Sequence, residues 1–403
     1  MRVTLLTQYY PPEVGAPQAR IAALAEGLAG RGVEVCVHTC FPHYPAGEIT
    51  APYRNRLVSK ERNRGTLLVR SAVYPAANRG FARRLMGHLS FATSALATAG
   101  STGPADVIVV ETPPLFLAGA AIAYARMKRA RLVVNVADLW PDSAIELGAL
   151  RSPTAIRGAR AVERAAYRAA TAIACPTEGI LATLGQRPES AGKAVLMRPA
   201  VDLERFDPSA GTAGSPAEGR PMQVLYAGTV GMAHGLETLL DAAAELERGG
   251  AAPPIEALIA GDGAEAPQLR ARLADGGPAN VRMLGSVPSK SIPALYADSD
   301  VAVVMLRDRP IFHGALPTKM LEAMAAGRPV LLSARGEAAR LIEAEGAGVV
   351  VEPENPGALA AALAELASDP ARRAHLGAAG RQVVEREFGR DTWLERWHGL
   401  LSG

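Results

Sequence analysis

The sequence is poor in the features that would set it apart from an ordinary globular protein. It has three cysteines, Cys36, Cys40 and Cys175, an odd number, and Cys36 and Cys175 sit in apolar strand-like runs. That usage suits buried free thiols in a reducing compartment, and Cys36 and Cys40 have the wrong spacing and company for zinc. No stretch approaches the roughly 20 apolar residues that span a bilayer. The apolar run in the opening MRVTLLTQYY is too short for a secretory signal and reads as a strand. A cytoplasmic location is therefore expected, with peripheral contact at the inner face of a membrane as an extension of it. An excess of one charge is also lacking. The 43 Lys and Arg face 40 Asp and Glu, so the total gives no argument for nucleic acid as a partner.

What the sequence does have is length and pattern. Its 403 residues exceed one ordinary domain and suit two of about 200. Short apolar runs alternate with longer Ala- and Leu-rich stretches of helical period, the pattern of a parallel sheet wrapped by helices. In the first half, strands are expected at VTLL from Val3, VEVCVHT from Val33, TLLVRSAV from Thr66, DVIVVE from Asp106, RLVVNV from Arg131 and TAIAC from Thr171. The second series reads MQVLYAG from Met222, IEALIAG from Ile255, NVRMLG from Asn280, VAVVML from Val301, RPVLLSA from Arg328 and GVVVE from Gly348. Between them, RPAVDLERFDPSAGTAGSPAEG loses all periodicity and gathers Pro, Gly and Ser, the composition of a linker. The expected division is an α/β, Rossmann-like domain over 1–200, a linker over 201–221 and a second such domain over 222–387. A C-terminal helix over 388–403, carrying two of the three tryptophans, is expected to pack back on the first lobe.

Ligands of open parallel sheets sit at the carboxyl ends of the strands, so the chemistry is sought in the loops that follow them. Four such loops contain Gly where a ligand can approach backbone. They are YAGTVGMAHG with Gly228, Thr229 and His234, IAGDGAE with Gly261, LGSVP with Val287, and HGALPTK with His313 and Gly314. The last opens a helix at Leu316, Pro317, Thr318 and Lys319. A helix start offers unpaired N–H groups and a partial positive charge, which suit a phosphate. Pro has no N–H to lose there, and Lys319 adds a full charge. Glu322 follows on the same helix, where a carboxylate can accept two hydroxyls of a sugar or ribose. A second reading stays open on the residues alone: Gly314 and Pro317 punctuate the helix, Lys319 is solvated, and Glu322 makes a charge–dipole contact.

The segments PTKMLEAMAAGRPVLL, YADSDVAVVML and AGTVGMAHGLETLLDAA resemble the nucleotide-sugar lobe of glycosyltransferase family 4. The fold of that family is GT-B, two Rossmann-like domains facing a cleft. TQYYPPEVGAPQARIAALAEGLAGRGVEVCVHT and NVADLWPDSAIELGAL resemble one branch of it, transferases of bacterial surface-polysaccharide and related pathways. The resemblance covers nearly the whole chain, including RPAVDLERF. It implies transfer of a sugar from a nucleoside diphosphate sugar, with retention at the anomeric carbon, no protein nucleophile, no bound metal and no cofactor besides the donor.

By the same resemblance, Glu322 is the second Glu of the family's paired-Glu motif and holds the nucleotide ribose. The first Glu falls at Gly314, and the Arg and Lys that clamp the diphosphate fall near Thr229 and His234. His313, Lys319 and Arg307, with the backbone amides from Leu316 to Lys319, are then expected to carry more of the phosphate. The family's usual His of the first lobe falls near Ala137, which leaves Asp138 beside it as the candidate catalytic group.

PPEVGAPQAR places Glu13, Gly15 and Arg20 in the loop and helix start after the first strand. Glu13 is a second catalytic candidate, Gly15 a donor-phosphate contact and Arg20 an acceptor contact. The alternative is a turn shaped by Pro11 and Pro12 and a merely exposed Arg20. ADLWPDS adds Trp140 and Asp142 as acceptor contacts, with helix capping as the other role open to Asp138. Asp298 and Asp300 mimic a metal-binding pair, but they lead into a buried strand and read as a turn.

From Arg54 to Arg84 nine basic residues accompany one acidic residue, Glu61. There RGFARRLMGHLSFATSAL sets Phe81, Leu85, Leu89, Ala92 and Leu96 on one helical face, with Arg79, Arg83 and Arg84 near its start. Such a helix over 79–96 can lie on an anionic membrane and bring a lipid-diphosphate-linked acceptor to the site, or pack on its own core. A soluble small-molecule acceptor is the other version. An epimerase of the same fold and a non-catalytic nucleotide-sugar binder are the competing classes.

Overall fold

The computed structural model describes all residues except 14, 44–46, 76–80, 147, 149, 211–219 and 251–253, and the backbone alone at 16, 81, 82, 84 and 210. The chain forms two compact units, Met1–Met197 with Leu394–Gly403, and Arg198–Trp393. The division falls inside the last helix, Arg390–Ser402.

The first unit is built on β1 (Arg2–Leu6), β2 (Glu34–Cys40), β3 (Val58–Asn63), β4 (Thr66–Ser71), β5 (Val107–Thr112), β6 (Arg131–Val136), β7 (Ala172–Cys175) and β8 (Ala194–Leu196). Their order is β3-β4-β2-β1-β5-β6-β7-β8, parallel throughout except for the antiparallel β3–β4 hairpin. β5 is buried along its whole length, as a strand between two helical layers must be. β3, VSKERN, is an edge strand with four of its six residues exposed, which is why its sequence is charged and carries no apolar alternation.

The helix Phe81–Ala97 buries Phe91, Ala92 and Ala95 against the core. Its core face is rotated from the expected stripe through Leu89, and it leaves Met86 and Leu89 47% and 44% exposed. Arg83 is exposed, while Arg79 lies outside the described residues. The end of the last helix completes this unit: the Arg131 guanidinium donates to the Leu401 carbonyl, and Trp397 and Leu401 are buried.

The second unit is built on β9 (Met222–Ala227), β10 (Ile255–Ala260), β11 (Val281–Gly285), β12 (Val301–Met305), β13 (Val330–Ser333) and β14 (Gly348–Val351). The order is β11-β10-β9-β12-β13-β14, all parallel. Side chains alternate between two cores. Val224, Tyr226, Ile259 and Val303 enter one, and Leu225, Ala227, Ala260 and Val304 enter the other. This is the period-two pattern of a sheet covered on both faces. In each unit the strand order reverses once, between β1 and β5 and between β9 and β12. Beyond the carboxyl ends at such a reversal the flanking loops part and leave room for a ligand.

Candidate functional site

At the β9/β12 reversal the polar groups sit on three loops locked together by close backbone approach. A Cβ on Gly261 would lie 1.8 Å from the Gly228 carbonyl oxygen, so the loops after β9 and β10 can meet there only without a side chain. The Gly228 N–H donates to the Ala260 carbonyl at 2.9 Å. Behind the third loop, after β12, the Glu337 N–H holds the His313 carbonyl at 2.7 Å.

That third loop leads into the helix Thr318–Ala325, capped by Pro317 in an extended conformation and anchored by buried Met320, Leu321, Ala323 and Met324. Among the described residues no group accepts from the N–H of Thr318 or Lys319. The Lys319 side chain leaves the helix and crosses Gly228, where a Cβ would be 3.0 Å from Nζ. It ends 2.7 Å from the Tyr226 hydroxyl and 4.2 Å from the centre of that ring. The Tyr226 hydroxyl donates to the Thr229 carbonyl at 2.6 Å, and the ring meets His234 edge-on at 6.0 Å. Burial draws the Lys319 ammonium down to about 7, against the pull of Glu322. Burial, and secondarily the nearby Lys319, brings His234 to about 4, so this imidazole is neutral at neutral pH.

Glu322, one helical turn on from Lys319, is half-buried, and its carboxylate makes no hydrogen bond among the described residues. Burial raises its carboxyl to about 7, opposed by Arg205 and Lys319. Arg205 is held by Ser289 Oγ at 2.8 Å, two residues past Val287 in the loop after β11. Arg205 and Tyr226 are site residues that sequence reasoning missed. Arg205 looked like part of a linker, and Tyr226 like one more apolar strand position. The usable signal for Tyr226 was its place next to the strand end, where a hydroxyl reaches past the sheet.

Arg307 was expected to add to the phosphate-binding charge, but its guanidinium is engaged by Glu237 at 2.6 Å, Glu265 at 3.3 Å and Glu354 at 3.1 Å, and its Nε by the Met232 carbonyl at 2.7 Å. His313 Nε2 lies 2.7 Å from Asp308, which also holds Arg335. Of these three groups, Lys319 alone has no carboxylate partner among the described residues. Leu316 is buried, Gly314 half-buried and Thr229 exposed. Asp300 is fixed at the opposite end of β12, on Arg220 at 2.7 and 2.9 Å and on the Gln223 N–H at 2.7 Å. Among the described residues no group of three or more His, Cys, Asp or Glu is placed to hold a metal ion.

In the first unit the candidate residues have partners of their own. Glu13 is buried and accepts the His43 N–H at 2.8 Å. Arg20 donates to Glu111 on β5, whose other oxygen accepts from Asn135 on β6. Asp138 accepts from the Ser143 hydroxyl at 2.8 Å, a side-chain contact in place of the capping of a helix N–H. Asp142 lies between Arg160 and Arg187, and Arg187 also binds Glu163. Trp140 meets Phe116 edge-on at 6.1 Å. Gly15 caps the helix Ala16–Gly30, with Gln18 Oε1 2.5 Å from where its Cβ would stand. Glu111, Asn135 and His43 were not singled out in the sequence. The available signal was a polar residue near the carboxyl end of an otherwise apolar run, as in VIVVET and RLVVNV.

Residues 15–200 match the family model described as a glycosyl transferase 4-like domain, and residues 213–383 the model for glycosyl transferases group 1. Over 100% of both chains, the sequence is 23% identical to the putative colanic acid biosynthesis glycosyl transferase WcaI of Escherichia coli K12. Sucrose-phosphate synthase from Thermosynechococcus elongatus has a similar structure, with a TM-score of 0.77 at 20% identity over 99% of this chain and 98% of that one. Anabaena Alr3699/HepE in complex with UDP gives a TM-score of 0.72 at 18% identity over 100% of both chains. At these identities the likeness is one of fold, the two parallel-sheet units of GT-B glycosyltransferases.

Proposed function

The chain belongs to glycosyltransferase family 4 and is a glycosyltransferase of the GT-B fold; from that premise we propose that it moves a sugar from a nucleoside diphosphate sugar to an acceptor hydroxyl with retention at the anomeric carbon. The observation that carries this reading is the pairing of Lys319 with Glu322 at the β9/β12 reversal, the ammonium without a carboxylate partner and the carboxylate without a hydrogen-bond donor among the described residues. A half-buried carboxylate in that condition is matched by donors from a ligand, and the two ribose hydroxyls are such donors. Lys319 and the N–H groups of Thr318 and Lys319 meet the diphosphate. Gly228, Gly261, Thr229, His234 and His313 shape the walls, and Val287 offers backbone to the base.

In the reaction, the bond from the anomeric carbon to the diphosphate oxygen breaks. The acceptor oxygen bonds to that carbon on the same face, and its proton passes to the departing phosphate. Charge grows on the leaving oxygens, so donors fixed beforehand lower the barrier, typically by a few kcal/mol each. In this reading those donors carry the diphosphate without a metal. Glu13, Asp138, Arg20, Trp140 and Asp142 belong to the acceptor side, where the ion pairs of Arg20 and Asp142 set a rigid wall. HepE, a fold neighbour, is bound to UDP, and the likeness to WcaI, a putative colanic acid biosynthesis glycosyl transferase, supports a surface-polysaccharide pathway; in this reading the acceptor is lipid-linked. The exposed Met86, Leu89 and Arg83 of the helix Phe81–Ala97 would then rest on the membrane surface.

The test is a thermal-shift titration with UDP, GDP, TDP and ADP, on the native protein and on Glu322→Ala. A rise in melting temperature with one nucleotide, absent in the variant, is the expected result. No rise with any of the four overturns the assignment of this site to a nucleoside diphosphate.

A further inference from the structure

The second unit carries no Arg at Thr229 and no Lys at His234, yet the same loop is held in a defined form by one aromatic side chain from beneath. Tyr226 lies at the penultimate position of β9 and is fully buried. Its hydroxyl accepts from Lys319 Nζ at 2.7 Å and donates to the Thr229 carbonyl at 2.6 Å, while the ring face lies 4.2 Å from the same ammonium. Two effects on an anion above the loop follow. The Thr229 carbonyl, whose oxygen would repel a phosphate, is turned into the protein. The flexible Lys319 side chain is fixed across Gly228 at a single place, so it loses little freedom when it engages the anion.

We propose that Tyr226 is the positioning residue that stands in for the missing cationic clamp, tying Lys319 and the Thr229 loop into one frame that receives the diphosphate. This rests on the reading of the β9/β12 site as a nucleoside diphosphate site. Tyr226 touches neither substrate nor reacting atoms in this scheme and acts through Lys319. The groups facing the ammonium are Tyr226 from β9, His234 from the loop after β9 and Glu322 from its own helix. Glu265, which faces Tyr226, is engaged by Arg307 at 3.3 Å. His234 stays neutral over the range of interest, which leaves Lys319 and Glu322 to titrate near neutrality.

The experiment is calorimetric binding of UDP, GDP, inorganic pyrophosphate and the matching nucleosides between pH 6 and 9. It compares the native protein with Tyr226→Phe, Lys319→Met and the double variant. Phe keeps the ring and its packing and removes only the hydroxyl. For the native protein, affinity for the diphosphates falls as pH rises through the Lys319 range, and nucleoside affinity does not follow it. In Tyr226→Phe, diphosphate and pyrophosphate binding weakens roughly tenfold, the scale of one lost hydrogen bond to a charge. The midpoint of the fall moves to lower pH, because the ammonium has lost an acceptor, and nucleoside binding is unchanged. The double variant binds no more weakly than Lys319→Met alone, since the two residues act as one unit.

Competitive acetylation of Lys319 against pH reads its titration without any nucleotide and should show the same downward move in Tyr226→Phe. An unmoved midpoint in that experiment overturns the proposal, as do equal losses of nucleoside and diphosphate binding, or additive losses in the double variant. Failure of the native protein to bind any diphosphate instead removes the reading of the site itself, and this proposal with it.

Discussion

The two strand-order reversals share one architecture and differ in how their polar groups are matched. At the β1/β5 side, Glu13 is held by His43, Arg20 by Glu111 (which also accepts from Asn135), Asp138 by Ser143, and Asp142 by two arginines. At the β9/β12 side, Lys319 meets a phenol in place of a carboxylate, and the Glu322 carboxylate meets no donor among the described residues. A buried charge matched inside the protein fixes geometry and is costly to disturb. A half-buried charge left unmatched keeps a desolvation penalty that a ligand can relieve. Matched groups therefore mark the frame and unmatched ones the place where a ligand is taken up, even when both lie at the carboxyl ends of parallel strands.

The largest effect should come from breaking a matched group. Glu111→Ala leaves the Arg20 guanidinium and Asn135 without their shared acceptor, and about 3–5 kcal/mol of stability is expected to be lost. Denaturant titration measures it; a loss below about 1 kcal/mol would erase the distinction drawn between the two sites.

Next is an unmatched group. Glu322→Gln should weaken nucleoside diphosphate binding tenfold or more by calorimetry, yet raise the melting temperature of the free protein at pH 8. The sign follows from the carboxyl, raised from its ordinary 4.5 to about 7. Its contribution to stability is complete below 4.5 and lost as pH climbs through 7, a loss that Gln does not suffer. Lys319, lowered from 10.5 to about 7, works the other way: its contribution is present above 10.5 and lost as pH falls toward 7. Melting temperatures of Glu322→Gln and the native protein should therefore coincide near pH 4.5 and diverge by pH 8. A constant difference across that range would contradict the cause given.

A smaller effect is expected at Arg307, whose charge is already matched. Arg307→Gln should change diphosphate affinity less than threefold, roughly 0.6 kcal/mol, while binding to Glu322→Gln falls much further in the same assay. The smallest effect concerns the exposed residues of the helix Phe81–Ala97. Met86→Ser with Leu89→Ser should leave nucleotide binding unchanged and lower retention on anionic vesicles two- to threefold in a sedimentation assay. Equal retention would separate this helix from any role at a membrane.

Twelve of the strands were legible because their apolar runs are short and alternate with longer stretches of helical period, the pattern of a buried parallel sheet. β3 was not, since VSKERN is a charged edge whose pairing is decided by its neighbour TLLVRS and by the turn at Arg64 and Gly65. β8, with only three residues, is too short for a periodic signal. In the site, the helix start at Pro317 was legible from its residues, and Lys319 and Glu322 stood out as charges. Which charges would be spent on partners was not legible: Arg307 and Glu354 are 47 positions apart, and Arg20 and Glu111 are 91 apart. Nothing local in either segment encodes such a meeting.

The allotment of Leu394–Gly403 to the first unit bears on the order in which the molecule matures during synthesis. The second unit is contiguous and has all its residues once Trp393 has been added. The first, although begun earlier, waits for the helical end that supplies Trp397 and Leu401. Domains fold as units while the chain is being made, the N-terminal one first, so the half made earlier can close around its own core and takes up this helical end last. Until the last residues arrive, the half made earlier keeps an apolar surface open to chaperones and to proteases.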